Sequence, residues 1–217
     1  MSKTRPLNIV VIISGNGSNL QAIIEASQQV TLAAKIVGVI SNRPAAYGLQ
    51  RAAAAGIPHQ VVDHTQYVSR ADFEDALTKQ IDSYAPDLVL LAGFMRILRP
   101  ETVEPYRGRM LNIHPSLLPD FPGLNTHQRA LDAGVTEHGA SVHYVTPALD
   151  GGPVVLQTAV PVCADDTAEQ LAARVLNREH TLYPQVIQWI ATGRLHMNAQ
   201  QQPEFNGHVM TQPIRQS

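Results

Sequence analysis

The sequence predicts an α/β protein built on a doubly wound, mostly parallel sheet. Three observations carry that expectation. Short runs that are β-branched and apolar on both alternating faces, such as Ile9–Ile13, read as strands buried on both sides. Through the first half of the chain these runs alternate with helical stretches, the rhythm of successive strand–helix–strand units. After Leu91 the rhythm changes, and two strands joined by a turn too short for a crossover must lie antiparallel.

The elements follow in order. Ile9–Ile13 is the first strand. Ser14-Gly15-Asn16-Gly17 turns the chain into a helix over Leu20–Ala26. Lys35–Ile40 is a second strand. Tyr47–Ala55 is an alanine-rich helix ended by Gly56 and Pro58, and His59–Val62 is a short third strand. Ser69–Tyr84 reads as an amphipathic helix capped by Ser69, with Asp72 in its first turn and Phe73, Leu77, Ile81 and Tyr84 on one face. Asp87–Ala92 is again a buried strand, which completes a Rossmann-like N-terminal half. Met110–Ile113 is a short strand ending in His114-Pro115. A proline-rich loop follows to Gly123, with Leu118-Pro119 as a candidate cis bond, and then a helix from about Thr126 to Ala133. Ala140–Val145 and Val154–Val160 form the antiparallel strand pair of the C-terminal half, around a turn at Asp150-Gly151-Gly152. A long helix starts at Thr167, with Gln170 completing a capping box. Leu171, Val175, Leu182, Val186 and Ile190 line its apolar side, and Pro184 is expected to kink or divide it. Residues 1–197 read as a single domain and residues 198–217 as a loose, polar, glutamine-rich tail.

Composition excludes several function classes. The chain has 217 residues, 44% of them hydrophobic, which suits one domain with its own core. A net charge of −2 gives no bulk attraction for a polyanion, so nucleic acid is not an expected partner. The single cysteine, Cys163, rules out an internal disulfide framework and a multi-cysteine metal site, and is expected to be a small buried hydrophobe. No His-Glu-x-x-His spacing exists, so no metal is expected. The longest strongly apolar run, Ile9–Ile13, is too short for a membrane span. Lys3 and Arg5 precede it, but it stops too early for a signal peptide. A cytoplasmic protein with no membrane partner is the expectation.

Four segments carry chemistry. Ser14-Gly15-Asn16-Gly17-Ser18-Asn19 lies at a strand-to-helix junction, where backbone N–H groups bind anions and glycine lets a phosphate approach. It lacks the third glycine of a dinucleotide fingerprint. Ser41-Asn42-Arg43 also stands where a ribose-binding carboxylate would be, so a lone phosphate monoester is favoured. A merely structural turn would read similarly. Asn112 and His114 lie two apart at the C-terminal end of a strand and so share a face. An amide donor beside an imidazole suits a developing oxyanion. Asp150, in a glycine-rich turn, could orient His114, raise its pKa or relay a proton, though an isolated Asp-Gly is more often an ordinary turn. Gly93–Leu98 sets Met95, Ile97 and Leu98 around Arg96, either as a flat apolar pocket or as an edge of the core.

Taken together, this ordered set resembles the folate-dependent formyltransferase family. The matching segments are Ser14–Leu20, Leu91–Leu98, Leu111–Pro119, Glu137–His143 and Leu149–Pro153, and the likeness runs over roughly residues 7–195. The phosphate loop points to the branch that acts on glycinamide ribonucleotide. The resemblance implies an enzyme of purine biosynthesis. It would transfer the formyl group of 10-formyltetrahydrofolate to the glycyl amine of glycinamide ribonucleotide, directly and without a metal. It implies Asn112, His114 and Asp150 as catalytic residues and Gly17, Ser18 and Asn19 at the phosphate. Glu179 is implied at the amine end of the substrate. Arg70, Met95, Arg96, Ile97 and Leu98 are implied around the folate, with the loop Thr146, Pro147, Ala148, Leu149 and Asp150. Asn125 stands where relatives can carry a histidine, and Asp120 where they can carry a basic residue.

His143 is a candidate supporting residue, whereas His59, His64, His196 and His208 read as surface or structural. A hydrolase of formyl-folate would be expected to carry an extra N-terminal domain, and a transfer-RNA formylating relative an extra C-terminal barrel. A non-catalytic folate-binding module would be expected to lose one of Asn112, His114 and Asp150. A homodimer is left open.

Overall fold

Two apolar layers sandwich a twisted sheet in the computed structural model, which describes residues 5–29 and 32–216. In chain order the elements are β1 (Leu7–Ile13), α1 (Ser18–Gln28), β2 (Ala34–Ser41), α2 (Tyr47–Ala54), β3 (His59–Val61), α3 (Arg70–Ser83), β4 (Leu88–Leu91), α4 (Pro100–Val103) and β5 (Met110–His114). They continue as α5 (Thr126–Asp132), β6 (Glu137–Tyr144), β7 (Val154–Pro161), α6 (Ala168–Ala191), β8 (Leu195–Met197), β9 (Pro203–Phe205), β10 (His208–Val209) and β11 (Ile214–Gln216).

The main sheet has the order β11-β7-β6-β5-β4-β1-β2-β3. β1 to β5 are mutually parallel, β6 is antiparallel to both β5 and β7, and β11 is parallel to β7. The chain builds outward from β1 to β3 and then returns to the other side of β1 to lay down β4. This reversal leaves a crevice at the C-terminal ends of β1 and β4, the usual place for a ligand in such sheets.

Alternation along β1 explains why it is apolar throughout. Ile9, Val11 and Ile13 enter one core with α1, α2 and α6, while Val10 and Ile12 enter the other with Phe73, Leu77 and Ile81 of α3. Each such side chain contributes about 1.5–3 kcal/mol on burial. Ser69 caps α3 through Asp72 N–H, and Thr167 with Gln170 forms the capping box of α6. Among the described residues no helix is long and apolar enough to cross a membrane.

Three expectations are corrected. Pro184 does not divide α6, which runs as one helix of 24 residues, so of the two expected effects it is division that is overturned. The proline removes one donor, but the helix is anchored beside it: the buried Tyr183 hydroxyl lies 3.0 Å from the carbonyls of both Leu91 and Leu111. The last residues are not a loose tail. β8, β9 and β10 form a small antiparallel sheet, with Phe205 packed 4.6 Å from the Trp189 ring, and β11 joins the main sheet beside β7. Polar composition concealed this because backbone pairing along an edge needs little apolar surface. Finally, Cys163 is exposed, since it follows β7 in the turn leading to α6.

Candidate active site

The candidate catalytic, substrate-binding and folate-binding residues all line one cleft of about 1250 Å³ at the crevice between β1 and β4. Its three regions are built differently.

One end is the turn between β1 and α1. Gly17 sits at φ +72°, and a Cβ there would lie 2.7 Å from the Cα of Gly48. Only glycine suits both the left-handed backbone and that approach. The turn delivers the N-terminus of α1, with its unpaired amides, to the cleft. Asn19 is nearly buried, and its side chain turns away from the loop to donate to Glu179 Oε2 at 2.7 Å. Burial pushes the Glu179 carboxyl above its ordinary pKa, and the Asn19 hydrogen bond partly offsets this. The sequence reading put Asn19 at a phosphate and Glu179 at an amine. In the structure the two are also partners, so one N–H of the Asn19 side chain is committed to Glu179 while its backbone N–H stays at the start of α1.

The centre holds Asn112, His114 and Asp150. The first two lie near the C-terminal end of β5, and Asp150 lies in the turn between β6 and β7 at φ +48°. Gly152 makes that turn possible, because a Cβ there would sit 1.8 Å from the Tyr144 carbonyl oxygen. Asp150 Oδ2 accepts from Gly123 N–H at 2.8 Å and lies 3.4 Å from His114 Nδ1; Oδ1 lies 3.7 Å from His143 Nε2. His114 Nε2 donates to the Phe121 carbonyl at 3.0 Å, so both ring nitrogens of His114 face acceptors. His143 Nδ1 bonds the Tyr144 carbonyl at 3.0 Å, which leaves Nε2 to accept from Asn112 Nδ2 at 3.2 Å. Burial lowers the His143 pKa against the opposing effects of that carbonyl and the Asp150 charge, keeping the ring neutral. His143 thereby orients the Asn112 amide.

The other end is apolar and half open. Met95, Ile97, Leu124 and Leu149 all line the cleft and are exposed, Leu124 by 71% and Met95 by 62%, while Leu98 is buried beneath them. Exposed apolar side chains gathered around one cleft mark a surface for a ligand to cover. Arg70 Nη2 donates to the Ile97 carbonyl and its Nε to Glu74 Oε1 at 2.6 Å.

Residues 7–187 match the family described as formyl transferase. The chain belongs to the formyl transferase family. It is 54% identical over 192 residues to the phosphoribosylglycinamide formyltransferase of Escherichia coli (strain K12), covering 88% of this chain and 91% of that one. It is 45% identical over 189 residues to the human trifunctional purine biosynthetic protein adenosine-3, covering 87% of this chain and 19% of that one. The structure of the phosphoribosylglycinamide formyltransferase from Coxiella burnetii in complex with CHES has a TM-score of 0.91 at 52% identity, covering 96% of this chain and 99% of that one.

Sequence reasoning missed several residues that hold this formyl transferase site together. Glu74 is almost fully buried and accepts from Arg70, from Arg99 N–H at 2.7 Å and from Thr102 Oγ1 at 2.7 Å, tying α3 to the segment after β4. Burial opposes its ionisation, but these bonds outweigh burial and hold the carboxyl below its ordinary pKa. Ser14 Oγ accepts from Met95 N–H at 2.9 Å and so joins the phosphate-loop end to the apolar end. The proline loop, whose Leu118-Pro119 bond is cis, hangs on Ser141 Oγ, which accepts from Leu118 N–H at 3.0 Å and donates to the Ser116 carbonyl at 2.6 Å. His127 and His138 pack with ring centroids 5.2 Å apart. Burial, reinforced by His127, pushes the His138 pKa down to about 4. Ser14 within the glycine-rich motif, His138 and Ser141 within the Glu137–His143 segment, and the expected cis bond at Leu118-Pro119 carried a sequence signal, whereas Glu74 and His127 carried none.

Proposed function

We propose that this chain transfers the formyl group of 10-formyltetrahydrofolate to the glycyl amine of glycinamide ribonucleotide, a step of purine synthesis. The observation that carries the reading is the adjacency, in one cleft, of an anion-binding turn, a buried carboxylate, the Asn112–His114–Asp150 cluster and an exposed apolar rim. The phosphate sits on the backbone amides of Gly17, Ser18 and Asn19. Glu179 receives the amine end. The pterin lies against Met95, Ile97, Leu98 and the loop from Thr146 to Asp150, with Arg70 and Arg96 at its border.

Holding both reactants in one cleft removes most of the entropic barrier. The amine nitrogen attacks the formyl carbon, the carbonyl electrons move to oxygen, and the tetrahedral intermediate collapses by breaking the bond to N10. One proton leaves the attacking nitrogen and one arrives at N10. The Asn112 amide, fixed by neutral His143, donates to the oxyanion. His114 becomes a second donor once its Nε2–H leaves the Phe121 carbonyl, and Asp150 pairs with the ring when it is charged. Asp150 is also the acceptor for a water-assisted proton relay.

No nucleophile is needed, and Cys163 lies on the exposed turn after β7. The test is a spectroscopic assay of 10-formyltetrahydrofolate consumption with glycinamide ribonucleotide, with the formylated product identified by mass. Release of formate in place of that product would make the chain a hydrolase, and binding without consumption would make it a folate-binding module.

A further inference from the structure

The anion-binding turn does not stand alone. The start of α2 packs against it, with Gly48 N–H donating to the Gly15 carbonyl at 3.1 Å. From the next turn of α2, Arg51 reaches back along the loop. Its Nε donates to the Asn16 carbonyl at 2.9 Å, Nη2 to Asn16 Oδ1 at 3.0 Å, and Nη1 to Gln21 Oε1 at 3.3 Å. The guanidinium also lies 4.9 Å from the centroid of the Tyr47 ring. It is therefore held at the loop on one side and at α1 on the other.

Every one of these acceptors is neutral. The nearby carboxylate, Glu25, accepts instead from Gln21 Nε2 at 2.9 Å. Among the described residues no ion pair is formed by Arg51, unlike Arg5, Arg70, Arg99, Arg107 and Arg174. A planar fork has thus been fixed in place against the backbone of the turn without a counter-charge.

We propose that Arg51 is a positioning residue for phosphate recognition: its fork clamps the Asn16 peptide so that the Gly17–Asn19 amides converge, and its uncompensated charge favours a dianion on them. The proposal rests on the assignment of this turn to the substrate's phosphate. Amides on a glycine-rich turn bind well only when the turn is already ordered, because ordering it on binding would subtract from affinity. Lysine would restore the charge but not the two-point grip on Asn16.

Steady-state kinetics of Arg51→Met and Arg51→Lys test this, with glycinamide ribonucleotide and its phosphate-free riboside as alternative acceptors. Loss of hydrogen bonds from a charged donor predicts a rise of about tenfold in KM for the ribonucleotide in Arg51→Met. kcat should change less than about twofold, with KM for 10-formyltetrahydrofolate and kcat/KM for the riboside unaltered. Arg51→Lys should fall between this variant and the unaltered protein. If Arg51→Met does not fold, Arg51→Lys alone decides, through a KM rise for the ribonucleotide that the riboside does not share. Equal losses for ribonucleotide and riboside, or an unchanged ribonucleotide KM, overturn the role of Arg51. An unaltered protein that forms no formylated ribonucleotide overturns the functional reading itself, and the two failures are thereby distinct.

Discussion

Replacing Asp150 with asparagine removes one charge while keeping the shape of the site. The carboxylate lies 3.4 Å from His114 Nδ1, with both side chains at least nine-tenths buried. Two unit charges about 4 Å apart at an effective dielectric constant near 20 interact by about 4 kcal/mol. In the proposed mechanism the pair faces the developing oxyanion, so that stabilisation belongs to the transition state. Its loss then slows turnover by roughly 10³. The amide oxygen of asparagine can still accept from Gly123 N–H, so the turn should keep its conformation. The proton relay loses its acceptor as well, so the loss should not be smaller than this. The measurement is kcat for formyl transfer, with KM for each substrate and a thermal melt of the variant. The expected pattern is a collapse of kcat with both KM values within a few-fold of the starting protein. Turnover within about tenfold of the starting protein, in a variant with an unchanged melt, would refute the reasoning.

Asn112→Ala removes an oxyanion donor and should cost about 10²–10³ in kcat; a small loss in the same assay would assign the oxyanion to other donors. Gly152→Ala forces a methyl to within 1.8 Å of the Tyr144 carbonyl oxygen, so the turn carrying Asp150 must move. A stability loss on the order of 3 kcal/mol is expected, and a melting temperature lower by about 6–12 °C should show it, together with reduced turnover. Glu179, whose pKa is raised by burial, stays protonated to a higher pH than an ordinary glutamate. KM for the amine substrate should therefore fall as pH rises through that raised pKa, and Glu179→Gln should flatten the profile. A profile unchanged by that substitution would remove Glu179 from substrate binding.

Much of the fold was legible because it depends on local patterning. Both faces of Ile9–Ile13 are apolar since each meets a different core, and the Asp150-Gly151-Gly152 turn forces the strands beside it antiparallel. The site was legible where a motif is continuous, as at Ser14–Asn19 and Asn112–His114. It was illegible where two halves of an interaction are far apart in the chain. Asn19 and Glu179 are 160 residues apart, and nothing local in either segment announces the other. The pairing of Asn112 with His143 follows from the register between β5 and β6, which only the assembled sheet fixes. Glu74 carries no mark in the sequence, because it is α4 and the Arg99 backbone, more than twenty residues on, that bond to it. Ile214–Gln216 is too short to show any period, and its place beside β7 comes from backbone pairing together with the packing of Ile214 against the core.

That last strand has a consequence for how the molecule survives at high concentration. β7 is buried from Val155 to Thr158, and Leu156, Gln157 and Thr158 each pair with a residue of β11. Without that partner, a straight apolar strand would present bare backbone donors and acceptors to other molecules, a template for intermolecular strand pairing. β11 moves the boundary of the sheet outward to a segment of three residues centred on the exposed Arg215. A short strand with a cation at its middle is a poor template for further pairing. The segment that composition marked as a loose tail thus works as a guard against aggregation, and its removal should show first as turbidity and loss of monodispersity, well before any change in chemistry.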